Sequence, residues 1–340
     1  MKEFIIEENE AGQRFDKYLA KLLREAPKSF FYKMLRKKNI TLNGKKATGN
    51  EKLQKGDAVK LFLSDETFGK FAGNTQVERA YCQLDIIYED KDIVVINKPA
   101  GMLSQPADDG TPSLVEYLIG YLLQKGDLTE EQLQTFRPSV CNRLDRNTSG
   151  MVCAGKSLAG LQFLSEIFHD RTLHKYYLCL VKGKIEKKSH IKGWLHKDQK
   201  TNKVTVSREK IPDSLAIETS YRPLGNNGRV TLLEVELLTG RTHQIRAHLS
   251  SIEHPLLGDG KYGDREFNRQ YTGEGVKYQL LHAYKLVIPQ TGQTFTAPVP
   301  ELFYHIITEE HLEEAYHENL ERNMGLRQDD HTGGDRCDTL

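Results

Sequence analysis

Turn signals set between short runs of β-branched and aromatic residues constrain this chain more than any other feature. Leu84-Asp-Ile-Ile-Tyr88 and Asp92-Ile-Val-Val-Ile-Asn97 flank the turn Glu89-Asp-Lys-Asp. Tyr176–Val181, Ala216–Tyr221, Arg229–Leu238 and Leu280–Ile288 read the same way, with Thr294–Thr296 after them. Gly225-Asn-Asn-Gly228 and Gln290-Thr-Gly-Gln293 are turns that reverse the chain between neighbours. Helical spacing is rarer, at Ser113–Gln124, Lys156–His169 and near His243–Ser251. Strands joined by hairpins, with helices interspersed and not strictly alternating, predict an α+β fold with a mixed, mainly antiparallel sheet.

The first 64 residues read as a separate module. Arg14, Phe15, Tyr18, Leu19, Leu22 and Leu23 recur at helical spacing and the run stops before Pro27. A second helix fits Ser29–Lys37, with Ser29 as its N-cap. Asn43-Gly44 then marks a tight hairpin, and a further turn at Gly56-Asp57 leads into Val59–Leu63. Between Gly12 and Ser64 stand fourteen Lys/Arg against four acids, a net of +10. From Thr308 to Leu340, ten acids face three arginines, a net of −7. The overall +1 therefore hides a basic head and an acidic end, and the head calls for a polyanionic partner. Arg14, Lys17, Arg36, Lys37 and Lys38 are its candidate phosphate contacts. The division that follows is 1–64 head, 65–80 polar linker, 81–307 main α+β region and 308–340 acidic tail.

Other classes recede. No apolar run approaches the roughly 20 residues that a membrane-spanning helix needs. The opening Met-Lys-Glu-Phe-Ile-Ile-Glu-Glu lacks the apolar heart of a secretion signal. Five cysteines (82, 141, 153, 179 and 337) are scattered without a pairing or Cys-x-x-Cys pattern. Reduced thiols in a cytoplasmic monomer are expected. His243 and His248 are five apart and no cysteine joins them, so no metal is expected.

Gly150-Met-Val-Cys-Ala-Gly155-Lys156-Ser157 fits the phosphate-loop pattern letter for letter. That loop needs a buried strand before its first glycine, whereas Cys-Asn-Arg-Leu-Asp-Arg-Asn-Thr-Ser stands there and the loop interior is itself strand-like. Nucleotide hydrolysis is set aside. The polar end of the same stretch is more informative: Arg143-Leu-Asp145-Arg146-Asn-Thr-Ser-Gly150 sets one carboxylate between two guanidiniums. Neighbouring positive charge keeps a carboxylate ionised. Taken alone, the arrangement also fits a structural ion pair at a turn.

Arg143–Gly150 resembles the signature "R-L-D-R-x-T-S-G" of the pseudouridine synthase family that modifies large-subunit ribosomal RNA and some transfer RNA. Three further blocks stand in register. Tyr88–Gly101, with Asn97-Lys98-Pro99, is similar to the family's "N-K-P-x-G" turn. Lys175–Gly183 is similar to "K-x-Y-x-A-L-V-x-G", and Leu238–His248 to "T-G-R-x-H-Q-I-R-x-H", continuing through His254–Asp259. The head resembles the small RNA-binding module named after ribosomal protein S4, in Arg14-Phe-Asp16-Lys17-Tyr-Leu19 and Leu35–Gly44. Asn142 stands where the family has His and Cys141 where an aliphatic is commoner; a positional role for Asn142 and a small buried one for Cys141 are expected.

The resemblance implies isomerisation of uridine to pseudouridine: N1 of the base leaves the ribose, the base turns, and C5 replaces it. It implies no cofactor, and RNA as partner. Asp145 takes the catalytic role, as nucleophile or as base toward the ribose. Arg143 binds substrate, Tyr177 stacks on the freed uracil and Arg246 pairs with Asp145. Lys98 supports the pocket and Leu281 walls the base. The competing reading is a non-catalytic RNA-binding protein or chaperone built on the same fold.

Overall fold

Apolar residues at helical spacing turn the first segments inward and give the head a core of its own. The computed structural model describes residues 1–72, 79–198 and 201–321. The chain divides into two units, Met1–Leu173 and His174–Leu340. In the first, β1 (Lys2–Ile5), α1 (Phe15–Leu22), α2 (Lys28–Arg36), β2 (Ile40–Leu42), β3 (Lys45–Lys46) and β4 (Ala58–Leu61) follow one another. The four strands form a sheet in the order β1-β4-β2-β3. Phe15, Leu19, Leu35, Ile40, Val59 and Leu61 are buried at its centre. Asn43 and Gly44, with φ of 52° and 71°, take the two left-handed positions of the β2–β3 turn. Pro27, not Ser29, caps α2, so the helix starts one residue early without a side-chain cap.

The expected linker is partly folded. Residues 65–72 form α3 (Asp65–Ala72). Phe68 stacks on Phe4 and Phe71 lies against Phe30, with centroids 6.1 and 4.5 Å apart. The head therefore extends to residue 72. Phe68 and Phe71 fall on one face of a helix by their spacing, and that pair carries the helix that the surrounding polarity conceals. The rest of the expected linker, save Arg79 and Ala80, lies outside the described residues.

The remainder of the first unit is built on β5 (Ile86–Glu89), β6 (Ile93–Lys98), α4 (Leu114–Lys125), β7 (Ser139–Val140), β8 (Ser149–Gly155) and α5 (Leu158–His169). β6 lies between β5 and β8, and β7 flanks β8, all antiparallel. Every residue of β8 is buried. The phosphate-loop lookalike is thus a strand running into a helix. Lys156 Nζ donates to Glu89 Oε1 and Asp127 Oδ2 at 2.5 and 2.7 Å, and Ser157 caps α5 by accepting from the Gly160 N–H.

The second unit is an antiparallel sheet of β9 (His174–Lys182), β10 (Ser189–Asp198), β11 (Lys203–Ser207), β12 (Leu215–Asn226), β13 (Val230–Leu237), β14 (Leu281–Ile288) and β15 (Gln293–Thr296). Its order is β11-β10-β12-β13-β9-β14-β15. α6 (Gln244–Ser250) and α7 (Arg265–Arg269) lie between β13 and β14 in sequence, and α8 (Glu301–Glu309) and α9 (Glu313–Tyr316) follow β15. The expected tail boundary at 308 falls inside α8. Leu312, Tyr316 and Leu320 join the core formed by Leu178, Leu232 and Tyr284. Glu310 accepts from Tyr271 Oη and Asn227 Nδ2 at 2.7 Å each, so part of the acidic run is an anchor. Residues beyond 321 lie outside the described part. Among the described residues no helix is long and apolar enough to cross a membrane.

Gly160, in the first turn of α5, sits against the start of β6: a Cβ there would lie 2.0 Å from the Asp92 carbonyl oxygen. Helix propensity alone makes Gly→Ala a gain of about 0.5–1 kcal/mol, but forced overlap of this kind costs about 1–3 kcal/mol or more. The clash wins. Gly160→Ala is expected to lower the midpoint of urea unfolding; an unchanged or higher midpoint would show that the β6–α5 packing yields easily.

Candidate active site

Asp145 stands on the loop between β7 and β8, and the first question is what holds that loop. Asn142 is tied to the strand it precedes: its Nδ2 donates to the Met151 carbonyl at 3.2 Å and its Oδ1 accepts from the Cys153 N–H at 2.7 Å. Ser104, 4% exposed, brackets Leu144. Its hydroxyl donates to the Leu144 carbonyl at 2.8 Å and accepts from the Leu144 N–H at 3.0 Å. The Thr148 N–H donates to the Asp145 carbonyl at 3.0 Å, closing a turn just before β8. Gly150 enters that strand with φ of 112°, a conformation that disfavours any side chain. The loop is fixed through its backbone, and the Asp145 side chain is left partly exposed.

Lys98, at the end of β6, is wholly buried. Its Nζ donates to the carbonyls of Pro99, Met102 and Arg146 at 2.8, 2.9 and 3.1 Å. Three acceptors match the three N–H bonds of an ammonium. Burial pushes the group down to about 7, and the Asp145 charge pushes back. The family resemblance sets Lys98 among the groups that support substrate; its geometry makes it a peg that joins the Pro99–Met102 turn to the Asp145 loop. The Gly101 N–H adds a fourth tie, to the Arg146 carbonyl at 2.9 Å, with Gly101 at φ 91°.

The two arginines beside Asp145 differ. Arg146 pairs with Asp109 at 2.9 Å. Arg143 is exposed and has no ion-pair partner among the described residues. Cys141 is half-buried, and burial pushes its thiol up to about 11, which rules against a nucleophilic thiolate at neutral pH. Ser104 escapes sequence reasoning, since an isolated serine in a polar stretch carries no periodic or motif signal.

In the second unit Tyr177 and Tyr176 point to opposite faces of β9. Tyr177 is buried, set across from Val235 of β13 and Ala283 of β14. Tyr176 has Lys285 Nζ over its ring at 4.3 Å and packs on the core that includes Tyr284. Leu281 is buried at the start of β14, across from Cys179.

Arg246, on α6, is 8% exposed and makes a two-pronged pair with Asp259, Nε to Oδ2 at 2.7 Å and an Nη to Oδ1 at 2.9 Å. Asp259 also accepts from the N–H groups of Lys261 and Tyr262, at 2.8 and 3.0 Å. Burial alone would raise this carboxyl, but Arg246 and those N–H groups hold it below the usual carboxylate range. In the sequence Asp259 is only the end of the His254–Asp259 stretch, and nothing there marks it as the holder of Arg246. Gly258, at φ 80°, brings the turn so close to Tyr278 that a Cβ would lie 2.2 Å from that carbonyl oxygen.

The rest of the Thr239–His248 stretch is scaffold. The Gln244 amide is fully occupied: Oε1 accepts from Thr239 Oγ1 and the Arg241 N–H, and Nε2 donates to the Glu218 carbonyl and Thr219 Oγ1. His248, almost fully buried, lies 2.9 Å from Thr219 Oγ1, and burial lowers it to about 4, so it is neutral. His243 lies 2.9 Å from Tyr262 Oη. Among the described residues no group of His, Cys, Asp and Glu is placed to hold a metal ion.

On the head, Lys17, Arg36, Lys37 and Lys38 are exposed, and none forms an ion pair among the described residues. Arg14 differs from them. It holds Asp16 with two hydrogen bonds, of 3.0 and 2.9 Å, and reaches Asn50 at 2.6 Å. Its charge is already half-answered.

Comparison with known proteins fits this division. The family described as RNA pseudouridylate synthase matches residues 92–251, and the S4 domain matches residues 13–59. Ribosomal large subunit pseudouridine synthase C of Pasteurella multocida is 32% identical over 315 residues, covering 88% of this chain and 90% of that protein. The protein of the same name from Escherichia coli is 33% identical over 312 residues, covering 86% and 90%. In fold, the chain is similar to human RNA pseudouridylate synthase domain containing 4, with TM-score 0.55, 22% identity, and coverage of 67% of this chain and 93% of that one. This chain belongs to the RNA pseudouridylate synthase family of isomerases and carries an S4 domain ahead of its catalytic region.

Proposed function

We propose that the chain isomerises uridine to pseudouridine in large-subunit ribosomal RNA, with Asp145 as the catalytic carboxylate. The observation that carries this reading is the loop itself: Ser104, Asn142, Lys98 and Gly101 fix its backbone, while the one acid at its centre keeps its side chain partly exposed. The near full-length similarity to proteins named for that RNA supports the substrate class.

The target uridine must first leave its stack, at a cost of a few kcal/mol. The exposed guanidinium of Arg143 then takes a phosphate or fills the vacated space. Asp145 acts on the ribose as nucleophile or as base while the bond to N1 breaks. The freed uracil turns, with Tyr177 and Leu281 as the side chains that the family resemblance assigns to it. Its C5 bonds to the ribose carbon as any bond from Asp145 to that carbon breaks, the C5 proton leaves, and N1 ends protonated. Arg246, whose guanidinium plane is fixed by its two hydrogen bonds to Asp259, is the positive charge that the family resemblance assigns to the reaction. The reaction leaves redox state unchanged and adds no atom from a donor.

Asp145→Asn keeps the shape and removes the charge. Pseudouridine formation is expected to drop below detection with RNA affinity little changed, and comparable turnover would refute the assignment. Replacing Arg36, Lys37 and Lys38 together with Ala should weaken binding and lower the slope of log affinity against log salt, by about one unit for each phosphate no longer neutralised. An unchanged slope would move RNA recognition away from this face.

Asp259→Asn leaves the buried Arg246 charge without its counter-ion, a change that costs about 3–5 kcal/mol. Because the folded carboxyl titrates below its unfolded value, its contribution is full above the unfolded range of about pH 4 and is lost as pH falls through that range and below. The Asn variant should unfold at lower denaturant at pH 7 and show a shallower decline in stability on acidification. A full-strength acid decline in the variant would place that titration elsewhere.

A further inference from the structure

The head has a self-contained core. Its buried residues run from Ile6 to Leu61, and the side chains packed against them end at Phe71. Among the described residues this cluster takes in no side chain beyond Phe71, and a polar contact ties the head to the rest of the first unit. Thr135 and Glu10, 125 positions apart, are 6% and 5% exposed, and the Thr135 hydroxyl donates to Glu10 Oε1 at 2.8 Å. The other Glu10 oxygen accepts from the Glu7 N–H at 3.0 Å, so the carboxylate is bound from both sides. Arg24, just past the end of α1, donates from one Nη to the carbonyls of Leu133 and Gln134, each at 3.2 Å. Glu10 and Arg24 thus grip one short turn, Gln132–Gln134, and the threonine that follows it.

We propose that Glu10, Arg24 and Thr135 form a latch that sets the orientation of the RNA-binding head against the catalytic region, making them positioning residues for substrate selection. The inference rests on the RNA-binding reading of the head. Asp145 lies in the same unit as the latch, so the phosphate-facing cations Lys17, Arg36, Lys37 and Lys38 are held at a set distance from it, not left to roam on a tether. A rigid spacing favours RNAs whose target uridine lies at that distance from the helix the head grips. A tether would accept many spacings at lower effective concentration.

The test uses the full chain. Thr135→Val combined with Arg24→Ala unlatches the head without touching its phosphate face or Asp145. Multiple-turnover kinetics on a structured fragment of large-subunit ribosomal RNA should show kcat/KM falling about tenfold through KM, as local concentration of substrate is lost. Turnover at saturating RNA and the salt slope should stay near wild type. Six glycine and serine residues inserted after Ala72 should leave the latched protein unaffected and penalise the unlatched one further. Equal kcat/KM in the latch variant, or an insertion that harms the latched protein as much, would overturn the latch. If instead the Arg36, Lys37 and Lys38 replacement leaves binding and slope unchanged, the RNA-binding reading of the head fails by itself. Arg24→Ala alone, on an exposed side chain, guards against a folding defect at Thr135 and should give part of the same KM effect.

Discussion

A buried ammonium has to be met by oxygen atoms, and much of the first unit follows from how Lys98 meets that demand. An unpaired charge inside a protein costs several kcal/mol. Here three carbonyls from two separate loops answer one Nζ. Moving either loop away would strip the buried Nζ of at least one of these acceptors. The Pro99–Met102 turn and the Asp145 loop are thus obliged to stay together, and Gly101 permits the close approach by adopting a left-handed backbone. Ser104 and Asn142 add direction to a spacing that Lys98 sets.

The second unit answers a similar demand with a counter-ion. Arg246 is buried on a short helix, and Asp259 meets it with both oxygens while taking two backbone N–H groups of its own turn. The geometry leaves little freedom to the guanidinium, since two parallel hydrogen bonds fix its plane. Gln244, on the same helix, pins the preceding loop to β12 through both ends of its amide. The Thr239–His248 stretch therefore reads as one polar clamp, with Arg246 as its product.

Much of this is legible in the sequence, for physical reasons that differ by element. The strands of the catalytic region announce themselves because β6, β8 and β9 are largely buried and carry continuous apolar runs, while β13 and β14 keep apolar residues at most of their buried positions. Tyr177 is separated from Tyr176 only by resemblance; the strand's alternation then explains why one neighbour is buried and the other lies under Lys285. β10 and β11 stay hidden because their outward positions are Lys, His and Thr, which mask the few inward ones, Leu195 and Val204. α8 escapes notice because Phe, Tyr, His, Ile and Thr are poor helix formers, and its helix is settled by packing of Phe303, Ile306 and Ile307. Arg246's partner Asp259 is out of reach, since burial, which sequence spacing does not report, is what makes a carboxylate thirteen positions away necessary.

The charge gradient shows the same limit more sharply. A run of like charge in sequence acts on a partner only after its internal pairs are subtracted. Subtraction leaves the head basic: four of its five candidate contacts are exposed and form no ion pair among the described residues, and only Arg14 is answered by its own Asp16. It treats the other end differently. Glu310, counted as part of an acidic tail, is buried and takes hydrogen bonds from Tyr271 and Asn227, with Arg229 3.3 Å away. That carboxylate anchors the last helices to the β-sheet core and has no field left to project. Glu10, just ahead of the basic run, makes the same point, since its carboxylate is taken up by the Thr135 hydroxyl and the Glu7 N–H. Net charge locates an open cationic face because those side chains are left unanswered by their own fold, and it misreads Glu310 because that acid is not.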